Sequence, residues 1–149
     1  KGERRLPRTL DTDRAAQLLD GALAAARAKS VKPIAVVILD SGSNPVISAR
    51  EDGCSLFREP IARAKAKGAL GMGVDTRVLA ERAKGNPVFF HSVSVAVDGD
   101  VAFSPGGVLV KDNAGKLLGA IGISGDTGEV DEECALAAIE AHLRSGASS

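Results

Sequence analysis

Apolar residues recur at steps of three and four through Ala15, Leu18, Leu19, Ala22, Leu23 and Ala26. This is the stripe of an amphipathic helix over about residues 11–29, and its alanine-rich face suits close packing on a sheet. Pro33 ends that pattern, and residues 34–39 follow as a nearly all-apolar, β-branched run that reads as a central strand. The turn formers Asp40-Ser41-Gly42-Ser43-Asn44-Pro45 then lead into extended residues 46–50, which predicts an antiparallel hairpin closed by Glu51-Asp52-Gly53. Glu59-Pro60 reads as the first turn of a helix running to about residue 70, and Gly71-Met72-Gly73 separates it from a second helix over about residues 76–84.

After Gly85-Asn86-Pro87 the period changes to two. His91, Val93, Val95 and Val97 alternate with Ser92, Ser94, Ala96 and Asp98, as in a half-buried strand. Asp98-Gly99-Asp100 marks a turn, residues 108–111 a further strand, Asp112-Asn113-Ala114-Gly115 another turn, and residues 117–124 a last apolar strand. A closing helix over about residues 129–145 carries Glu129, Asp131, Glu132 and Glu133 beside its positive N-terminus and buries Ala135, Leu136, Ile139 and Leu143. The expectation is an α/β (α+β) fold: a mostly antiparallel sheet of about five strands, the terminal helices on one face and the middle pair on the other.

The 149 residues, 44% of them apolar, suffice for one core, so residues 1–149 read as a single domain. Lys plus Arg and Asp plus Glu balance at 19 each, and aromatic residues make up 3%; with no field to gather polyanions and few rings for bases to stack on, nucleic-acid binding is not expected. No apolar run approaches the roughly 20 residues that span a bilayer. The start, Lys1-Gly2-Glu3-Arg4-Arg5, lacks the apolar stretch of a signal peptide, so a soluble cytoplasmic protein is expected unless a targeting segment precedes Lys1. Cys54 and Cys134 match no metal-ligand spacing and read as free, partly buried thiols.

Several motifs occur in order: Asp40-x-Gly42, Arg50-x-Asp52-Gly53, Ala62-x-x-Lys65-Ala66, Pro105-Gly106-Gly107, and Gly119-Ala120-Ile121-Gly122-Ile123-Ser124-Gly125 with Asp131 shortly after. Together they resemble the GlcG/HbpS family, which also includes the C-terminal domain of PduO, over about residues 10–143. The resemblance implies a profilin-like fold, a homo-oligomer, ligand sites near or between subunits, and haem binding. Other members of that family accompany small-molecule catabolic genes.

Among residues that carry chemistry, Pro105-Gly106-Gly107 presents backbone N–H groups without side chains and could cup an anion; the competing reading is a tight turn feeding the next strand. Gly119-x-x-Gly122-x-x-Gly125 is not a dinucleotide fingerprint, because its first glycines lie within a strand, where they admit a close-packed helix. His91, preceded by Pro87-Val88-Phe89-Phe90, is a candidate haem ligand or acid/base, set against an ordinary hydrogen-bonded structural histidine; for His142 the structural reading is favoured. Arg50 and Lys65 are candidate partners for haem propionates or a small carboxylate, against surface charges or ion pairs to Asp52 or Glu59, and Asp52 could instead hold backbone amides at the hairpin end. Cys54 stands where the resemblance calls for a small residue, and is a second candidate iron ligand. Neither Cys54 nor Ser104 has an identifiable base, which leaves nucleophilic catalysis without support.

Two functions follow as expectations. The first is an oligomeric protein that binds a small ligand, haem by resemblance, between the middle helices and the Pro105-Gly106-Gly107 loop. The second is an enzyme of small organic-acid catabolism, of isomerase or hydrolase type, with His91 moving protons and Arg50 or Lys65 anchoring a carboxylate. A third reading is a purely structural or assembly module.

Overall fold

In the computed structural model, which describes residues 9–145, the first amphipathic stripe forms α1 (Thr12–Ala28), capped by Asp11, whose carboxylate accepts the Arg14 N–H. The charged lead, residues 1–5, lies outside the described residues. β1 (Ala35–Asp40) is buried at every position and pairs with β2 (Pro45–Arg50) as the predicted hairpin; Asp40 closes the turn by accepting the N–H groups of Gly42 and Asn44. α2 (Arg58–Met72) ends at Gly73 in the left-handed region, and α3 (Thr76–Gly85) follows. After α4 (Pro87–Ala96) come β3 (Gly107–Lys111), β4 (Leu117–Ser124) and α5 (Gly128–Arg144), which is capped by the Thr127 hydroxyl.

Among the described residues the sheet has four strands in the order β2-β1-β4-β3, all antiparallel, rather than about five. The missing strand is the alternating segment at residues 91–97, which is α4. Pro87 occupies its first turn, where a missing N–H is harmless. Phe90, Val93 and Val97 also stand at helical steps of three and four, and Phe90 and Val93 pack with Leu79, Val101 and Phe103. The alternation of valines with small residues therefore reflects composition rather than burial of one face: Val95, within the alternation, is 68% exposed.

One face of the sheet, carrying Val36, Ile38, Val108, Ile121 and Ile123, is covered by α1 and α5. Gly21 lets these helices meet closely, since a Cβ there would stand 3.0 Å from the Cα of Ala138. The other face, with Ala35, Val37, Leu39 and Ala120, is covered by α2 through Ala62 and Ala66. Gly122 admits α2: a Cβ on it would sit 2.0 Å from the Ala62 carbonyl oxygen. The middle helices do not share this face equally, because α3 and α4 build a smaller core of their own around Leu79, Phe90 and Val101. No helix among the described residues is long and apolar enough to cross a membrane.

His142 lies on the buried side of α5, and neither ring nitrogen has a hydrogen-bond partner among the described residues. Burial, reinforced by the Arg14 charge and opposed by Asp11, holds its pKa below the usual histidine range. As pH falls through about 6.5 the unfolded chain takes up a proton that the folded chain refuses until lower pH, so stability is lost with acidification over that window. Between about pH 7.5 and 5.5, wild-type protein is expected to lose more in Tm than His142→Phe. Equal losses would clear His142 of this role.

Candidate functional site

The spacing Ala62-x-x-Lys65-Ala66 turns Lys65 toward the sheet between two alanines that sit on it. There its Nζ donates to the Ile123 carbonyl at 2.8 Å and to Asp131 Oδ2 at 3.0 Å, in an ion pair whose side chains are 3% and 1% exposed. Asp131 stands in the first turn of α5, and its other oxygen accepts the Asp126 N–H at 3.0 Å. Burial pushes the Lys65 pKa down and the Asp131 pKa up, while their mutual attraction opposes both shifts.

Pro105-Gly106-Gly107 closes over this pair instead of opening as an anion cup. Gly106, at φ 126°, has Ile123 O at 2.7 Å and Lys65 Nζ at 2.8 Å from where a Cβ would be. The Gly107 N–H donates to Thr76 Oγ1 at 2.8 Å. The space expected to hold a ligand between the middle helices and this loop is thus filled by Lys65 and Asp131. Lys65 is neither a surface charge nor a partner of Glu59, whose carboxylate instead pairs with Arg63 and accepts the Ser48 hydroxyl.

Arg50 and Asp52 lie elsewhere, on an open hollow of about 460 Å³ shared with Arg27, Pro33 and Glu51. Arg50 Nη1 donates to the Cys54 carbonyl at 2.6 Å. The backbone-holding role considered for Asp52 falls to Glu51, whose Oε1 accepts the Ile34 N–H at 2.9 Å and the Arg27 guanidinium at 3.1 Å. Cys54 is buried with Ala35, Val37 and Ala62, and burial raises its thiol pKa, which disfavours the thiolate an iron would need.

His91 is exposed on α4 and borders a third hollow, of about 310 Å³, with Ala83, Pro87, Phe90, Ser94 and Phe103. Phe90 meets Phe103 edge to face at 5.3 Å and Phe89 at 5.2 Å, and of these rings Phe90 and Phe103 line the hollow with the imidazole. Phe103 was not among the residues singled out from sequence; it lies twelve residues beyond His91 in a stretch without periodicity, and only the fold brings it there. Arg50 and His91 thus border different hollows, and Lys65 is buried against Asp131. No group of three or more His, Cys, Asp or Glu side chains that could hold a metal ion occurs among the described residues.

The chain belongs to the HbpS-like family, described as "Haem degrading protein HbpS-like", whose pattern matches residues 10–140. It is similar to the PduOC protein solved as a haem complex, at 28% identity and TM-score 0.79 over 89% of this chain and 94% of that one. It is also similar to HbpS, at 25% identity and TM-score 0.76 over 94% of each chain. The Klebsiella pneumoniae protein ORFY shares the fold, with TM-score 0.82 at 20% identity over 95% of this chain and 96% of that one. A 21-residue segment is 95% identical to part of tyrosine recombinase XerC of Pseudomonas syringae pv. syringae (strain B728a); the match spans 14% of this chain and 7% of that protein, too little to carry fold or function.

Removing one partner of a buried ion pair strands the other charge, at about 3–5 kcal/mol. Lys65→Met and Asp131→Leu are each expected to lower stability by that order in urea denaturation, and the double variant by clearly less than their sum. Strict additivity would show that the two charges are not coupled.

Proposed function

We propose that this protein binds haem on the outer face formed by α3, α4 and Phe103, with the His91 imidazole as iron ligand. The observation that carries this reading is an exposed imidazole beside a wall of Phe90, Phe103 and Pro87, the pairing of nitrogen donor and apolar ring surface that a tetrapyrrole requires. Arg82 and Lys84 flank Ala83 in the last turn of α3 and supply cations for the propionates. Family membership and the likeness to a protein solved with haem support the same ligand. Bound haem would supply a redox-active iron; the chain would contribute the His91 nitrogen, the apolar wall and the cations that pair with the propionates.

At about 310 Å³ the hollow is at the low end of the roughly 300–1,000 Å³ of ligand sites, and so covers only part of a haem. A second copy of the chain covers the rest in this reading, which also accounts for the exposure of Val88, Phe89 and Val95 on the same helix. Two free cysteines, packed in separate clusters on opposite faces of the sheet, fit a reducing compartment such as the cytoplasm. An organic-acid enzyme would need His91 and a carboxylate anchor in one hollow, whereas Lys65 is engaged with Asp131 and Arg50 faces a different depression.

Titration with haemin, followed by visible absorption alongside light-scattering mass, is expected to give a saturable Soret band for wild type and for Cys54→Ala. The expected outcome for His91→Ala is loss of the ligand-field signature and at least about tenfold weaker binding. A spectrum and affinity unchanged in His91→Ala would overturn the site.

A further inference from the structure

A cavity separate from the His91 hollow opens between α2 and α4. Its volume is about 210 Å³, with Met72, Val93, Val97 and Val101 providing apolar walls. This is below the roughly 300–1,000 Å³ of sites for drug-sized molecules and suits a ligand the size of one amino acid. The rim carries one charge of each sign: Lys67 Nζ stands 3.2 Å from Asp100 Oδ2, and both side chains are partly exposed. Such a solvated pair contributes little to stability, so its members are free to exchange partners.

Two glycines of α2 border the cavity, and they differ in their physical reason. Gly68 is required by packing, because a Cβ there would stand 2.7 Å from Val101 Cγ2. Gly71 has no such reason: no atom lies within 4 Å of where its Cβ would be. Glycine weakens a helix relative to alanine, and at Gly71 no close-packed neighbour demands it. A side chain at this position, on the cavity lining, would extend into open space.

We propose that this cavity binds a free amino acid with an apolar side chain of about leucine size. The ligand's carboxylate takes Lys67, its ammonium takes Asp100, the Ser43 hydroxyl at the rim accepts or donates the remaining hydrogen bond, and its side chain enters between Met72, Val93, Val97 and Val101. The exchange leaves the charge balance of the rim unchanged: one internal ion pair is replaced by two, each charge keeping an opposite partner. A simple carboxylic acid would leave Asp100 without its partner, and a simple amine would leave Lys67 so. The zwitterion satisfies both.

Isothermal titration of the full chain with L-leucine up to about 10 mM tests this, with 4-methylpentanoate and 3-methylbutylamine as single-charge controls. The expected result is saturable binding of leucine, with each control at least about tenfold weaker. Gly71→Leu, which fills the cavity from open space, is expected to abolish binding while its Tm matches wild type or exceeds it, and Lys67→Met to weaken binding by at least about tenfold. No saturable leucine binding, equal binding of either single-charge control, or undiminished binding by a folded Gly71→Leu variant would each overturn the proposal.

Discussion

A lysine ammonium taken out of water keeps its charge only where another charge and good hydrogen bonds replace its hydration. In this chain Lys65 meets that condition through Asp131 and the Ile123 carbonyl, and in doing so it joins three elements at one point: α2, the end of β4 and the first turn of α5. The loop entering β3 is bound to the same point, since Gly106 lies against the Lys65 ammonium and the Gly107 N–H is taken by Thr76 at the start of α3. Arg77 adds a second tie, holding Glu132 of α5 with two nitrogens. Both sheet faces and the α3–α4 extension are thereby fixed relative to one another around a polar centre enclosed by glycines and alanines.

That arrangement separates structural from accessible chemistry. The charged residues at the centre are used up by one another, and small residues such as Gly106, Gly107 and Gly122 let backbone pack closely around them. The openings lie away from that centre: the aromatic hollow beside His91 and the small cavity beside Lys67 and Asp100 both border α4, and the hollow at Arg27, Arg50 and Asp52 lies at the end of the β1–β2 hairpin. α4 is a largely apolar helix of which Phe90 alone is buried, so its apolar surface is available for ligands and for other copies of the chain.

Much of this fold is readable from the sequence because most of its elements bury in the way their own periodicity says. The Ala15–Ala26 stripe, the all-apolar β1, the Asp40–Asn44 turn and the acidic first turn of α5 each follow from local rules. The segment at 91–97 misleads because valines alternating with small residues satisfy the period of a strand, while Phe90, Val93 and Val97 equally satisfy that of a helix; Pro87 at the first helical position decides between them. The site was less legible for a different reason. The motif around Lys65 marks a significant residue, but its partner is 66 positions away, and nothing local reveals that the side chain turns inward. His91 could be singled out as chemistry, whereas the aromatic wall that gives it a context depends on Phe103, brought over by the loop that follows α4.

The chain contains two histidines, one exposed at the aromatic hollow and one buried in α5, so the imidazole signals would report directly on the proposed placement of haem. The decisive measurement is NMR of histidine-labelled protein through a titration with ferric haem. Haem held at the outer face of α4 will broaden or shift the His91 resonances in step with binding and leave those of His142 in place. Saturable haem binding that leaves His91 untouched would contradict that placement.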